Sequence, residues 1–138
     1  MNTINIKDFS EYPGLRHCKI SDDSGEEFYH KVLNNAFKTA YEKKEKITIN
    51  LDGTAGYAPS FLDEAFGNLV YDFGKETVEK NVIIISEQEP DLKEMILNET
   101  YPQWQERRKE KDKPKKTEEH KTWFILINNE LKEIESYS

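Results

Sequence analysis

The chain is poor in the residues that would place it outside the cell or in a membrane. Its 138 residues include one cysteine, Cys18, so no intrachain disulfide can form, which fits a reducing compartment. No apolar run approaches the roughly 20 residues that a membrane-spanning helix needs. The opening stretch "MNTINIKDFSEYPG" has neither the basic nor the apolar region of a secretory signal. The histidines, His17, His30 and His120, are scattered and give no metal-ligand spacing with the lone cysteine. Walker and Rossmann glycine patterns and the Gly-x-Ser-x-Gly elbow are all missing. Positive charge is also scarce: 20 Lys and Arg against 27 Asp and Glu leave a net charge of −7. That balance argues against a general nucleic-acid or acidic-membrane binder. The expectation is a soluble cytoplasmic domain with no metal, no cofactor and no catalytic residue.

What is present reads as one α/β domain over residues 1–138, since a chain of this length supports a single core. Ile4 and Ile6 predict a short strand, and "LRHCKI" (15–20) alternates as a second one, joined to it through the turn signal Tyr12-Pro13-Gly14 into an antiparallel edge. Ser24 and Glu27 stand at capping-box spacing before a helix that runs to about Lys44 on Phe28, Val32, Leu33, Phe37 and Ala40. "KITINLDG" (46–53) is a strand, and "NVIIIS" (81–86) reads as a strand buried on both faces. Between them a helix carries Phe61, Leu62, Ala65, Phe66, Leu69, Val70 and Phe73, with Gly74 as its stop. A further helix starts near Pro90 and is expected to break or kink at Pro102. "KTWFILI" (121–127) is the last strand, followed by a hairpin return or a final helical turn. The strand–helix alternation implies parallel pairing, hence a mixed sheet of about five strands with helices packed on it. Residues 107–116 carry seven Lys or Arg against two acids, and the segment 106–120 reads as a charged, solvated loop or helix end.

Within "GYAPSFLDEAFGNLV" (56–70), Ser60 stands at the predicted start of a helix, with Asp63 placed to complete a capping box. Capping alone explains such a serine. Its position also suits function: the loop before it leaves the carboxyl end of a central strand, where open α/β sheets place their sites. A helix N-terminus there would tolerate a phosphoryl group.

The motifs Pro-Gly-x-Arg (13–16), Ser-Gly-Glu-x-Phe (24–28) and Ser-Phe-Leu-Asp-Glu-Ala-Phe-Gly (60–67) resemble the STAS-like domain family of unknown function, related to the STAS domains of anti-anti-sigma factors. In those factors a serine at the start of the corresponding helix is phosphorylated by a histidine-kinase-like ATPase, and the unphosphorylated form binds that partner. The resemblance therefore implies a STAS-like fold and a non-enzymatic regulatory module. Ser60 would take the switch position, and Asp52, Tyr57, Pro59, Phe61 and Glu64 the surrounding partner-binding surface. The departures are Ala58 and Pro59 before the serine and Phe61 after it, where the anti-anti-sigma pattern has a nearby acid and a glycine. An alternative reading is a nucleotide- or anion-sensing domain in which the helix N-terminus at Ser60 acts with Arg16, Ser24 and Gly25. A third is an acidic scaffold that docks a basic protein.

Overall fold

Three four-residue strands hold the centre of the molecule. In the computed structural model, which describes residues 2–17 and 23–137, β1 (Asn2–Asn5), β2 (Ile47–Asn50) and β3 (Val82–Ile85) pair in the order β1-β2-β3, all parallel. Ile4, Ile49 and Ile84 are in register across the sheet, and Thr3, Thr48 and Ile83 form the next row, on the opposite face. The core packs against the isoleucine row, where Ile49 is fully buried.

Among the described residues, six α-helices besides the one-turn α1 (Ile6–Phe9) surround the sheet. α2 (Gly25–Phe28) passes through a π-helical stretch, Tyr29–Leu33, into α3 (Asn34–Glu42). α4 (Pro59–Phe73) is the central helix, and Gly74, at φ +91°, ends it before α5 (Lys75–Asn81). α6 (Pro90–Met95) runs through a second π-helical stretch, Ile96–Thr100, into α7 (Tyr101–Glu110). Two glycines let helices touch α4 closely. A Cβ on Gly25 would sit 2.4 Å from the Phe61 carbonyl oxygen, and one on Gly67 would sit 2.0 Å from the Trp104 ring.

Several sequence expectations are corrected. β1 pairs in parallel with β2, and residues 15–17 of the expected second strand are not in a strand. The carbonyls of Leu15 and Arg16 instead accept the backbone N–H groups of Gly25 and Glu26, so this segment caps α2 rather than a ladder. Residues 18–20 lie outside the described residues. β3 is an edge strand, and Ile83 on it is 44% exposed rather than buried. Among the described residues the sheet has three strands, not about five. β4 (Trp123–Ile127) pairs with β5 (Glu130–Ile134) as a separate antiparallel hairpin, so the tail is a hairpin return. Asn128 and Asn129, at φ +50° and +65°, supply the two left-handed residues of that turn.

Pro102 does not break its helix. The π-helical stretch directly before it re-routes the backbone ladder where the missing proline N–H would have left a gap. Nor does Ser60 cap α4. Pro59 takes the first helical position, which its fixed φ suits, so the cap position moves back to Ala58, whose side chain makes no capping bond. The overall class remains α/β, and no helix among the described residues is long and apolar enough to cross a membrane.

Candidate functional site

The loops leaving the carboxyl ends of β2 and β3 are tied to each other. The Asp52 carboxylate accepts the N–H groups of Glu87 and Gln88 at 3.1 and 3.0 Å, and the Gln88 side chain accepts the N–H of Gly53 at 2.9 Å. Asn50 supports Asp52 from below: its side-chain oxygen accepts the Asp52 N–H, and its amide donates to Asn5 on the neighbouring strand. Tyr57 folds back and donates its hydroxyl to the Leu51 carbonyl at 2.7 Å, and burial pushes that hydroxyl's pKa up. The chain then enters α4 through exposed Pro59 and half-buried Ser60. Among the described residues the Ser60 hydroxyl has no hydrogen-bond partner.

The other residues singled out by sequence lie just inside this edge. Phe61 is fully buried against Phe28 and Phe9, so its side chain belongs to the core and offers no partner surface. Glu64 is also buried rather than on a partner surface: it accepts from Arg16 at 3.1 Å and from the Asn68 amide at 2.8 Å. Asp63, rather than closing a capping box, accepts from Arg16 at 2.7 Å and from Thr100 at 3.0 Å. Burial works against the Arg16 charge, but the hydrogen bonds and charges of Asp63 and Glu64 outweigh it, and its pKa is raised. That guanidinium is thus committed to two carboxylates rather than open to an anion. Ser24 caps α2 by accepting the Glu27 N–H at 3.0 Å, as the spacing predicts, and Gly25 is pressed against the Phe61 backbone. Asp52, Tyr57, Pro59 and Ser60 therefore share one edge, while Arg16, Gly25, Phe61 and Glu64 form the packed junction beneath it.

Sequence reasoning missed a polar stripe along α4. Glu64, Asn68 and Asp72 recur every four residues on a helix whose other buried residues are apolar or glycine, and all three are buried. Each is met by a different segment. Glu64 meets Arg16, Asn68 accepts from Lys116 at 2.7 Å, and Asp72 accepts from the hydroxyls of Tyr29 and Tyr137 at 2.5 and 2.6 Å. Burial lifts the Asp72 pKa from 3.8 to about 6. Nearby, buried Glu26 accepts from the Thr117 backbone and hydroxyl and lies 2.5 Å from the His120 ring nitrogen. The end of the basic run is thus fastened to the core and not simply solvated. Its sequence signal was the four-residue spacing of acid, amide and acid.

These observations define a small α/β domain built on a parallel sheet, with its candidate site on the loop edge where a serine enters the first turn of the central helix. The chain belongs to the family described as STAS-like domain of unknown function (DUF4325), whose model matches residues 24–92. That half holds Ser24, Gly25, Asp52, Tyr57, Pro59, Ser60, Phe61 and Glu64, and leaves out Arg16, the basic run and the hairpin. No curated protein and no solved structure gives a match to the chain.

Proposed function

We propose that the chain is a non-enzymatic regulatory module that binds a protein partner through the Asp52–Ala58 loop and the start of α4. The partner class that the anti-anti-sigma resemblance supports is a histidine-kinase-like ATPase or another signalling protein, with phosphorylation of Ser60 releasing it. The carrying observation is the Ser60 hydroxyl, half-exposed and unpartnered in the first turn of a 15-residue helix. A phosphoryl group there would meet the unpaired N–H groups and positive dipole end of α4. The Asp52 tie to Glu87 and Gln88 supports the same reading, because it holds two adjacent loops as one preformed surface.

The test is capture of partners from source-organism lysate with the wild type and with Ser60→Asp, identified by mass spectrometry. The proposal expects an ATPase or kinase retained by the wild type and lost with Ser60→Asp, and phosphate on Ser60 in part of the recovered wild type. Identical partners for both forms, with no phosphate on Ser60, would overturn it.

A further inference from the structure

At the far end of α4 from Ser60, about 16 Å along the helix axis at Tyr71, a cleft of about 680 Å³ opens between the ends of α4 and α7 and the β4–β5 hairpin. Its accessible charge has one sign. Arg108, Lys111, Lys113 and Lys132 line it, and the single acid, Asp72, is buried at the floor under the Tyr29 and Tyr137 hydroxyls. This runs against a composition of 27 acids to 20 bases. On helix surfaces elsewhere, lysines pair with acids one turn away, as in Lys38–Glu42, Lys75–Glu79 and Lys80–Glu76. Among the described residues, Lys111, Lys113 and Lys132 have no ion-pair partner. Arg108 is held in place, because its guanidinium donates to the carbonyls of Tyr71 and Leu126.

The hairpin makes one wall of this cleft apolar. Phe124, Leu126 and Leu131 pack towards the core. On the opposite face, which ordinarily carries polar side chains, Ile125 lies across from Lys132, Ile127 is 41% exposed, and Ile134 follows. Unpaired cations beside an apolar wall, in a cavity of small-molecule size, suit a ligand that carries several negative charges on an apolar or flat body.

We propose that this cleft binds an organic polyphosphate, with its phosphates at Lys111, Lys113 and Lys132 and its body against the isoleucine face and the Tyr71 ring. The site is separate from the Ser60 edge and does not depend on the partner reading. Titration calorimetry on the full chain with ATP, GTP and inorganic tripolyphosphate tests it. At least one nucleotide is expected to bind, and to bind more tightly than tripolyphosphate, which has no body to fill the apolar wall. The double variant Lys113→Ala/Lys132→Ala, at two exposed positions, is expected to weaken that binding about tenfold or more, equivalent to about 1.4 kcal/mol, while Ser60→Ala binds as the wild type does. No heat with any of the three probes would overturn the proposal. Unchanged affinity in the double variant would overturn it too, as would tripolyphosphate binding as tightly as the nucleotides.

Discussion

The carboxylate of Asp52 accepts the backbone N–H of Gln88 at 3.0 Å, and so joins the loop after β2 to the loop after its parallel neighbour β3. With the second bond, to Glu87, one side chain sets the shape of the edge on which Ser60 stands. Replacing Asp52 by Ala is expected to cost about 1–2 kcal/mol, the worth of partly exposed charge-assisted hydrogen bonds. The Glu87 and Gln88 amides should exchange with solvent distinctly faster in the variant, read by hydrogen exchange. Unchanged protection at both amides would contradict the tie.

Ser60 makes no side-chain hydrogen bond within the described structure, and Ala58 holds the cap position of α4. Ser60→Ala should therefore change stability by less than about 0.5 kcal/mol in denaturant unfolding. A capping serine would lose about 1 kcal/mol in the same measurement.

Gly25 and Gly67 sit where α4 is approached most closely. A methyl group at Gly25 meets the Phe61 backbone, which cannot swing aside, and one at Gly67 meets the Trp104 ring. Each Gly→Ala change is expected to destabilise the fold by about 1–3 kcal/mol, as overpacking does. The reading is a fall in thermal midpoint, checked for both variants against the wild type.

Two buried groups give the stability opposite dependences on pH. Among the described residues both ring nitrogens of His30 lack hydrogen-bond partners, and the ring stacks on His120 at a centroid distance of 3.8 Å. Burial, followed by the charges of Lys116 and His120, lowers its pKa from 6.5 to about 2 against the pull of Glu26. The unfolded chain thus gains a proton that the folded chain refuses, and stability is lost as pH falls below 6.5, by about 2 kcal/mol at pH 5. Asp72 acts the other way: its raised pKa of about 6 gives a contribution that is full below 3.8 and lost as pH rises through 6. His30→Phe, which keeps the ring contacts, should gain stability relative to wild type as pH is lowered from 7 to 5. Asp72→Asn should compare more favourably with wild type at pH 7 than at pH 4.5. Thermal midpoints across that range separate the two effects.

Much of the local structure was legible because it rests on neighbouring residues. The Ser24–Glu27 cap, the apolar stripe from Phe61 to Phe73 and the stop at Gly74 need only short-range chemistry. Pairing was harder to read. The alternation in "KTWFILI" marks a strand but does not name its partner, and the Asn128-Asn129 turn that gives β4 its own hairpin went unread in the sequence. Local rules also competed. Pro59 at the first helical position displaced Ser60 from the cap, and a π-helical stretch absorbed Pro102. At the site, the loop placing Asp52, Tyr57 and Ser60 on one edge followed from the end of β2. The burial of Phe61 followed from the apolar stripe, but that of Glu64 did not, because it depends on Arg16, which is distant in sequence.

The most direct measurement is the affinity of the captured signalling partner for three forms of the chain: wild type, Ser60→Ala and Ser60→Asp. A switch at Ser60 predicts that Ser60→Ala binds as the wild type does, while the added charge of Ser60→Asp weakens binding about tenfold or more. Equal affinity for all three would contradict it.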